Sequence, residues 1–239
     1  MHGLVLAAGQ GSRLAASGGR LGKPFIAVGG RTLLGGMLGA LREIGCQGIT
    51  CLVRAEQAEA ARAIASWAGC PATRVLACLT PSSLHTLGIG LAAAPDGPVL
   101  AAVVDAVMPR ADFHALARSI AADLADGADA VLAVSSGTDD ERPIHVALDA
   151  DRRVLEVSDD PLDPIRVSGG VYGLGPRARA LARAAVDRGQ SHMRSFLATL
   201  LKEGLAVRAV EVPRIVDVDR PADVLAADVW LRSLGEGSP

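Results

Sequence analysis

The chain has 239 residues, of which 50% are hydrophobic and only 3% aromatic, and its formal net charge is −2. This length and composition allow one sizeable core built mainly from Ala, Val and Leu, so a single domain is sufficient. A net charge so close to zero excludes the overall basic character that usually accompanies binding to nucleic acid or to an anionic membrane.

No apolar run reaches the roughly 18 residues of a membrane span, and no basic segment leads a signal-type apolar run near the N-terminus. We therefore expect a cytoplasmic protein with no membrane partner and no nucleic-acid partner; a homo-oligomer is compatible with the sequence. The four cysteines, at positions 46, 51, 70 and 78, match no paired C-x-x-C spacing of a zinc site. They are expected to be small buried residues of a reducing compartment.

A glycine-rich loop follows the first predicted strand, Gly3–Ala8. Glycine at positions 9 and 11 lets the backbone approach a ligand closely, and backbone N–H groups at the end of a strand can face an anion. Arg13 and Lys23 add fixed positive charge. The pattern predicts a polyphosphate-binding loop with a nucleoside triphosphate as its ligand.

Two better-known glycine motifs do not fit this loop. Leu14 stands where the dinucleotide fingerprint has its third glycine. For the G-x-x-x-x-G-K-[ST] loop, Ser17 takes the first glycine position and Pro24 replaces the hydroxyl residue that would bind magnesium. Both motifs are excluded.

Strand-like and helical patterns alternate after the loop, which indicates parallel βαβ units. As far as residue 110 the sequence predicts helices at Thr32–Ile44, Glu56–Trp67 and Ser83–Ala94, and strands at Ile49–Val53, Arg74–Cys78 and Pro98–Val104. We expect an α/β fold: a single-domain, Rossmann-like, mostly parallel twisted sheet flanked by helices.

Strands are more frequent in the second half of the chain. The patterns predict helices at Phe113–Asp126, Pro176–Arg188 and Met193–Glu203, and strands at Ala130–Ser135, Pro143–Leu148, Arg153–Val157, Arg166–Leu174 and Leu205–Val212. We expect a small β-rich insertion that binds the substrate. One domain, 1–234, would then contain a nucleotide-binding half, 1–110, and an acceptor-binding half, 111–234, followed by a flexible tail, 235–239.

Three aspartates are candidate ligands of a metal cation. Asp105 directly follows an apolar strand, and in an open parallel sheet ligands bind beyond the carboxyl ends of the strands. Asp217 and Asp219 stand at i and i+2 on an extended segment, so both side chains point to the same side. Asp217 is the favoured closing ligand, and Asp219 is a second ligand or a helix cap. Asp105 could instead cap the next segment, although Asp112 is available to cap the predicted helix.

Other positions are candidates for binding the two substrates. Ser82 and Ser83 begin a helix at the same edge of the sheet, where they could read a nucleotide base or serve only as an N-cap. Gly169 and Gly170 interrupt a strand, which marks either a bulge or a ligand close to the backbone. His145 belongs to a strand that could line the acceptor pocket.

The stretch LAAGQGSRL followed by GKPFIAVGGRTLL resembles the N-terminal signature of the nucleotidyltransferases that activate sugar phosphates and related small phosphate esters. The run from Asp217 to Asp223 resembles the closing acid-x-Asp-x-Pro-x-Asp motif of that family. The resemblance implies that Arg13 and Lys23 neutralise the triphosphate during catalysis and that Asp105 with Asp217 or Asp219 holds Mg²⁺. It also implies that the triphosphate is cradled by Leu6, Ala7, Ala8, Gly9, Gly11 and Ser12.

The chain departs from this family's pattern at two places. Thr80-Pro81-Ser82-Ser83 replaces a frequent glycine-threonine pair, which leaves the accepted base open. Ser158-Asp159-Asp160-Pro161 replaces a frequent Glu-Lys-Pro, so another group, such as Arg166, would have to meet the acceptor phosphate. The resemblance implies that Gly169 and Gly170 contact the sugar.

We expect a Mg²⁺-dependent enzyme that couples a nucleoside triphosphate to a sugar 1-phosphate or a similar phosphorylated small molecule, forming an NDP-sugar and releasing pyrophosphate. A molybdopterin- or cytidyl-type nucleotidyltransferase is the alternative within this class. A catalytically silent nucleotide-binding regulatory protein is the alternative from a different class.

Overall fold

The computed structural model describes residues 1–9, 22–136 and 143–236. The strands in this part of the chain are β1 His2–Ala7, β2 Ala27–Val28, β3 Arg31–Thr32, β4 Ile49–Val53, β5 Arg74–Ala77, β6 Val99–Val103, β7 Ala106–Val107, β8 Ala130–Ser135, β9 His145–Leu148, β10 Val154–Ser158, β11 Val167–Leu174, β12 Val207–Glu211 and β13 Val216–Asp217. The α-helices are α1 Leu33–Glu43, α2 Ala58–Trp67, α3 Ser83–Ala93, α4 Arg110–Ala125, α5 Pro176–Asp187, α6 Met193–Lys202 and α7 Pro221–Ser233.

Nine of these strands form one sheet. Its N-terminal half, in the order β5-β4-β1-β6, is parallel throughout. β11 then runs antiparallel to β6, β8 and β9, while β12 is parallel to β8 and β10 forms a hairpin with β9. The predicted fold class is confirmed, and the β9–β10 hairpin is its small β-rich part.

Helices cover both faces of the sheet, so its central strands are apolar along their whole length. On one face Leu34 and Leu38 of α1 pack in the same core cluster as Phe113 and Ile120 of α4. On the other face the core cluster is formed largely by side chains of α3, α5 and α6, with Leu87, Ala182 and Phe196 among them. This double covering leaves the carboxyl ends of β1 and β6 as the place where polar residues gather.

Helix α4 begins earlier than the sequence predicts. Its first residue is Arg110, whose N–H donates to Oε1 of Glu236 at 2.7 Å. Asp112 therefore lies in the first turn, and the prediction that it caps a helix starting at Phe113 is wrong. The carboxylate of Glu236, in the distant C-terminal segment, thus accepts from the first N–H group of this helix. Local sequence patterns do not reveal such a long-range contact.

Two short ribbons were not predicted from the sequence. β2 pairs with β3 just before α1, and β13 pairs with β7 in a separate two-stranded sheet. Each of these strands has only two residues, too few to show an alternating pattern. Across the described ranges, no helix has the length and apolar character needed to cross a membrane.

Candidate active site

The β7–β13 ribbon brings together two segments that are far apart in sequence. Asp217 of β13 pairs with Ala106 of β7, and the N–H of Val218 donates to the carbonyl oxygen of Asp105 at 3.1 Å. Asp105, two residues beyond the end of the buried strand β6, thus lies beside the segment that precedes the last helix.

This pairing creates a cluster of three carboxylates. Asp105, Asp217 and Asp219 each offer one oxygen, and these oxygens all lie within 4.8 Å of one another. In addition, Oδ1 of Asp105 is buried and has no hydrogen-bond partner among the described residues. The three predicted ligands therefore converge at one place, although their role in binding a metal stays a prediction.

The side chain of Lys23 points into the same cluster. Its ammonium forms ion pairs with Asp105 and Asp219, and only 10% of the side chain is exposed. Burial acts to lower the pKa of Lys23, but the charges of Asp105 and Asp217, together with hydrogen bonds to Asp105 and Asp219, raise it above its ordinary value. Lys23 therefore stays a cation throughout the neutral range.

Local structure fixes the backbone on both sides of this ion pair. Lys23 begins a short 3₁₀ helix, and Gly22 before it has a φ of 83°, a left-handed conformation that favours glycine. On the other side, Oδ2 of Asp223 accepts from the N–H groups of Asp219 and Arg220 at 2.9 and 2.7 Å. Asp223 thus caps helix α7 and holds Asp219 in place.

A cleft of about 230 Å³ opens beside the cluster, at the carboxyl ends of β1 and β6. It is lined by the end of β1 and the start of the glycine-rich loop, 6–9, and by Lys23, Ser83, Asp105 and Asp219. The loop residues Leu6, Ala7, Ala8 and Gly9 thus lie where the sequence predicts a nucleotide. Gly11, Ser12 and Arg13, which complete the predicted loop, lie outside the described residues.

The two serines before and within helix α3 differ in their surroundings. Ser82 is the N-cap: its Oγ accepts from the N–H of His85 at 3.4 Å and lies 2.9 Å from Nδ1 of the same histidine. Ser83, the first residue of the helix, lines the cleft. The structure therefore gives the capping function to Ser82 and leaves Ser83 facing the space where a nucleotide would bind.

Sequence reasoning missed Thr86 as a residue of the cleft. Thr86 is buried, lines the cleft, and has its Oγ1 2.6 Å from Oγ1 of Thr80 and 3.1 Å from the carbonyl oxygen of Ser82. The signal was present in the helical spacing, because Thr86 follows Ser83 by three residues and so shares its face of the helix.

The candidate acceptor residues lie in or directly beside two neighbouring strands: His145 begins β9, Arg166 precedes β11, and Gly169 and Gly170 belong to β11. His145 in β9 pairs with Val167 in β11, next to Arg166. His145 is buried, and its Nδ1 has no hydrogen-bond partner in the described ranges. Arg166 donates from Nε to Oε1 of Glu211 at 2.5 Å, so its guanidinium is held against β12.

The only tyrosine of the chain is buried close to the acidic cluster. Burial raises the pKa of Tyr172 to about 12; a hydrogen bond with Ser168 opposes this shift, and the charges of Asp105 and Asp217 add to it. The Ser168 hydroxyl lies 3.3 Å from the Tyr172 oxygen. The Tyr172 phenol therefore stays protonated and uncharged at neutral pH.

A second cavity, of about 340 Å³, lies beyond the segment that carries Asp105. Its lining is mainly apolar and includes Met37, Phe113 and Leu231, with Glu236 as its one carboxylate. Among the described residues, none of those predicted to bind substrate or metal lines this cavity. The smaller cleft, which unites the loop, the lysine and the aspartates, is the candidate active site.

Comparison with known proteins identifies the family of the chain. Residues 3–204 match the model of the family described as the MobA-like NTP transferase domain. No curated protein sequence matches the chain.

Solved structures with a similar fold include three nucleotide-transferring proteins. An inositol-1-phosphate CTP transferase from T. maritima has a TM-score of 0.79 at 17% identity, with 93% of this chain and 90% of that chain covered. A candidate glucose-1-phosphate thymidylyltransferase from Bacillus anthracis, in complex with sucrose, has a TM-score of 0.82 at 16% identity and coverages of 97% and 96%. A nucleoside-diphosphate-sugar pyrophosphorylase from Vibrio cholerae RC9 has a TM-score of 0.71 at 17% identity and coverages of 94% and 98%.

The family match spans well over half of the chain, and it confirms the relationship indicated by the glycine-rich loop and the closing acidic motif. The chain belongs to the MobA-like NTP transferase domain family and is a nucleotidyltransferase.

Proposed function

We propose that this nucleotidyltransferase joins a nucleoside triphosphate to a phosphorylated small molecule, with a sugar 1-phosphate as the first candidate, and releases pyrophosphate. The observation that carries the proposal is the convergence of Lys23, Asp105, Asp217 and Asp219 beside the start of the glycine-rich loop. Such a site can hold a polyphosphate and a divalent cation together.

The donor set of the cluster fits magnesium. Mg²⁺ prefers oxygen ligands and takes one or two carboxylates together with phosphate and water oxygens. Asp105 brings a buried oxygen that has no partner within the described residues, and Asp217 and Asp219 lie within ligand-sharing distance of it. These three residues would hold the ion. When bound, it would neutralise charge on the reacting phosphates.

The protein's own residues supply position and charge. The N–H groups at the start of the glycine-rich loop can hold phosphate oxygens, and the ammonium of Lys23 can offset charge that accumulates during transfer. A phosphate oxygen of the acceptor attacks the α-phosphorus of the triphosphate, the α–β phosphoanhydride bond breaks, and pyrophosphate leaves with the bonding electrons. Because the attacking phosphate is already an anion near neutral pH, no general base is required.

In this scheme residues 1–110 bind the nucleotide, with Arg13 and Lys23 as the catalytic cations, and residues 111–234 bind the acceptor. His145 and Arg166 are the acceptor-side candidates. Their positions support this assignment, since His145 pairs with Val167, the residue after Arg166; so does Nδ1 of His145, which is buried and has no hydrogen-bond partner among the described residues.

A second candidate reaction is transfer of a cytidylyl group to a phosphorylated alcohol. The specific observation in its favour is the fold shared with the inositol-1-phosphate CTP transferase. A molybdopterin-type acceptor belongs to the same class of reaction and is tested in the same way.

The test is pyrophosphate release from each of the four common nucleoside triphosphates, combined with a panel of sugar 1-phosphates, inositol phosphate and molybdopterin, with Mg²⁺ and with a chelator. We expect one nucleotide and one acceptor class to give turnover that the chelator abolishes and that Asp105→Asn lacks. Nucleotide binding without pyrophosphate release from any acceptor would indicate a catalytically silent protein.

A further inference from the structure

Strand β11 contains extra residues at the position where it passes the acidic cluster. Ser168 pairs with Val134 of β8, and Tyr172 pairs with Leu132, so three residues of β11 lie opposite one residue of β8. This bulge contains Gly169 and Gly170. It occurs where β11 stops pairing with β9, at Val167, and before it starts pairing with β6, at Val171.

Each of the two glycines packs under one of the segments that carry the aspartates. A Cβ at Gly169 would lie 2.1 Å from Cδ1 of Ile215, and Ile215 precedes Asp217 by two residues. A Cβ at Gly170 would lie 2.4 Å from Cγ2 of Val103, which precedes Asp105 by two residues. Both distances are far below van der Waals contact, so only glycine fits beneath the two segments as they stand.

The backbone of Gly170 adds a second reason for glycine at this site. Its φ is +73°, a left-handed conformation that residues with a Cβ rarely adopt. The bulge is therefore determined both by conformation and by the space available, as expected where a strand is bent next to a functional site.

We propose that Gly169 and Gly170 are positioning residues that set the separation of Asp105 and Asp217. Ile215 packs directly against Gly169, and Val103 packs directly against Gly170. The inference rests on the proposed function of the cluster as a magnesium site. It assigns to the glycines a mechanical role that differs from the contact with the acceptor expected from the sequence.

A displacement of Ile215 would also displace Asp217, because the two residues are only two positions apart. Ile215 is buried in the core cluster, so it can yield to a new methyl group only by turning within that packing or by moving its backbone. Its chain continues directly into β13 and Asp217. Magnesium demands near-octahedral oxygen geometry, so a small displacement of one carboxylate weakens binding.

Gly173 provides a matched control on the same strand. A Cβ there would lie 2.2 Å from Cγ2 of Ile120, an overlap as severe as the one at Gly169. However, Ile120 belongs to helix α4 and does not lead into an aspartate of the cluster. Gly173→Ala and Gly169→Ala should therefore both lower thermal stability, whereas only Gly169→Ala should disturb the metal site.

The overlap at Gly169 can also be relieved by a second substitution. Ile215→Val removes the Cδ1 atom, after which the nearest atom to the new methyl group is Cγ1 at 3.3 Å. The double variant Gly169→Ala/Ile215→Val should therefore regain the wild-type arrangement of the two aspartates. If Gly169→Ala does not fold, Ile215→Leu tests the same contact from the opposite side by moving a methyl branch towards the unchanged glycine.

The measurement is binding of Mn²⁺ in the presence of pyrophosphate, followed by electron paramagnetic resonance of the free ion. We expect Gly169→Ala, or Ile215→Leu in its place, to weaken Mn²⁺ binding about tenfold. Gly173→Ala should bind as the wild type does, and the double variant should return to within about threefold of wild type. Wild-type affinity in Gly169→Ala, or equal loss in Gly169→Ala and Gly173→Ala, overturns the inference while leaving the proposed function intact. A wild-type protein that binds no Mn²⁺ overturns the proposed metal site and the inference with it.

Discussion

The ammonium of Lys23 forms an ion pair with the carboxylate of Asp219, which lies 196 positions further along the chain. Lys23 also pairs with Asp105, so one side chain links the short 3₁₀ helix that it begins to the acidic residues of both segments. The pair has consequences for stability as well as for catalysis.

Lys23→Ala should lower turnover by about two to four orders of magnitude, because one cationic contact to the reacting phosphates is lost. Without divalent metal it should also lower the free energy of unfolding by about 2 kcal/mol, since partly buried carboxylates lose their counter-charge. Pyrophosphate release and chemical denaturation with and without Mg²⁺ measure both effects, and added Mg²⁺ should reduce the stability difference.

Lys202 is the only other lysine of the chain and is exposed at the end of α6, so Lys202→Ala is the control. The raised pKa of Lys23 means that its stabilising effect is fully present below the ordinary lysine pKa and is lost only at higher pH. The stability difference between Lys23→Ala and wild type should therefore be constant from about pH 6 to pH 9. Turnover of Lys23→Ala within about threefold of wild type would contradict its assigned role.

Asp105→Asn and Asp217→Asn should each reduce turnover to background, because the neutral amide that replaces a carboxylate ligand binds Mg²⁺ weakly and does not offset its charge. Raising the Mg²⁺ concentration should not restore activity. Asp219→Asn should retain more activity than Asp217→Asn if Asp217 is the principal closing ligand. Asp187→Asn, at an exposed position at the end of α5, is the control and should behave as wild type.

Ser83→Ala and Thr86→Val should change the ratio of kcat/KM values for two nucleoside triphosphates, because both residues line the cleft and each variant removes a hydroxyl group from it. Ser82→Ala should instead lower stability by about 1 kcal/mol through loss of the N-cap, with similar loss of activity for every nucleotide. Competition assays with pairs of triphosphates distinguish the two effects. An unchanged ratio in both cleft variants would mean that the base is read elsewhere.

Because Tyr172 is the only tyrosine of the chain, the pKa of its buried phenol can be measured directly. Its folded pKa is raised from 10.0 to about 12, so its stabilising contribution is present below pH 10 and is lost as the pH rises towards 12. The loss should be about 2 to 3 kcal/mol. Ultraviolet absorbance of the phenolate in native protein should therefore appear well above the pH seen in denatured protein, and Tyr172→Phe should flatten the alkaline stability curve. Coincident titrations of native and denatured protein would refute the burial argument.

The sequence was sufficient for the centre of the parallel half because β1, β4 and β6 are buried apolar runs of five or six residues. The place of Asp105 also follows from a general rule, the binding of ligands beyond the carboxyl ends of parallel strands. These inferences need only local patterns and a known architecture.

The remainder depends on contacts between distant parts of the chain. The capping of Arg110 by Glu236, the ion pairs of Lys23 and the packing of Gly169 under Ile215 each join segments with no local pattern in common. For Gly169 and Gly170 the sequence indicated a bulge or a ligand, and only the positions of the neighbouring side chains reveal what lies against them. The acceptor role of His145 and Arg166 stays a prediction.

The pairing of β13 with β7 also affects the order in which parts of the protein fold during synthesis. The last strand of the nine-stranded sheet ends at Glu211, whereas the acidic cluster needs Asp217 and Asp219. During synthesis the nine-stranded sheet can therefore assemble before the three carboxylates are brought together, because β13 can pair with β7 only after residues 216 and 217 have been made. A nascent chain made only as far as Glu211 should accordingly have a folded sheet but lack the proposed metal site.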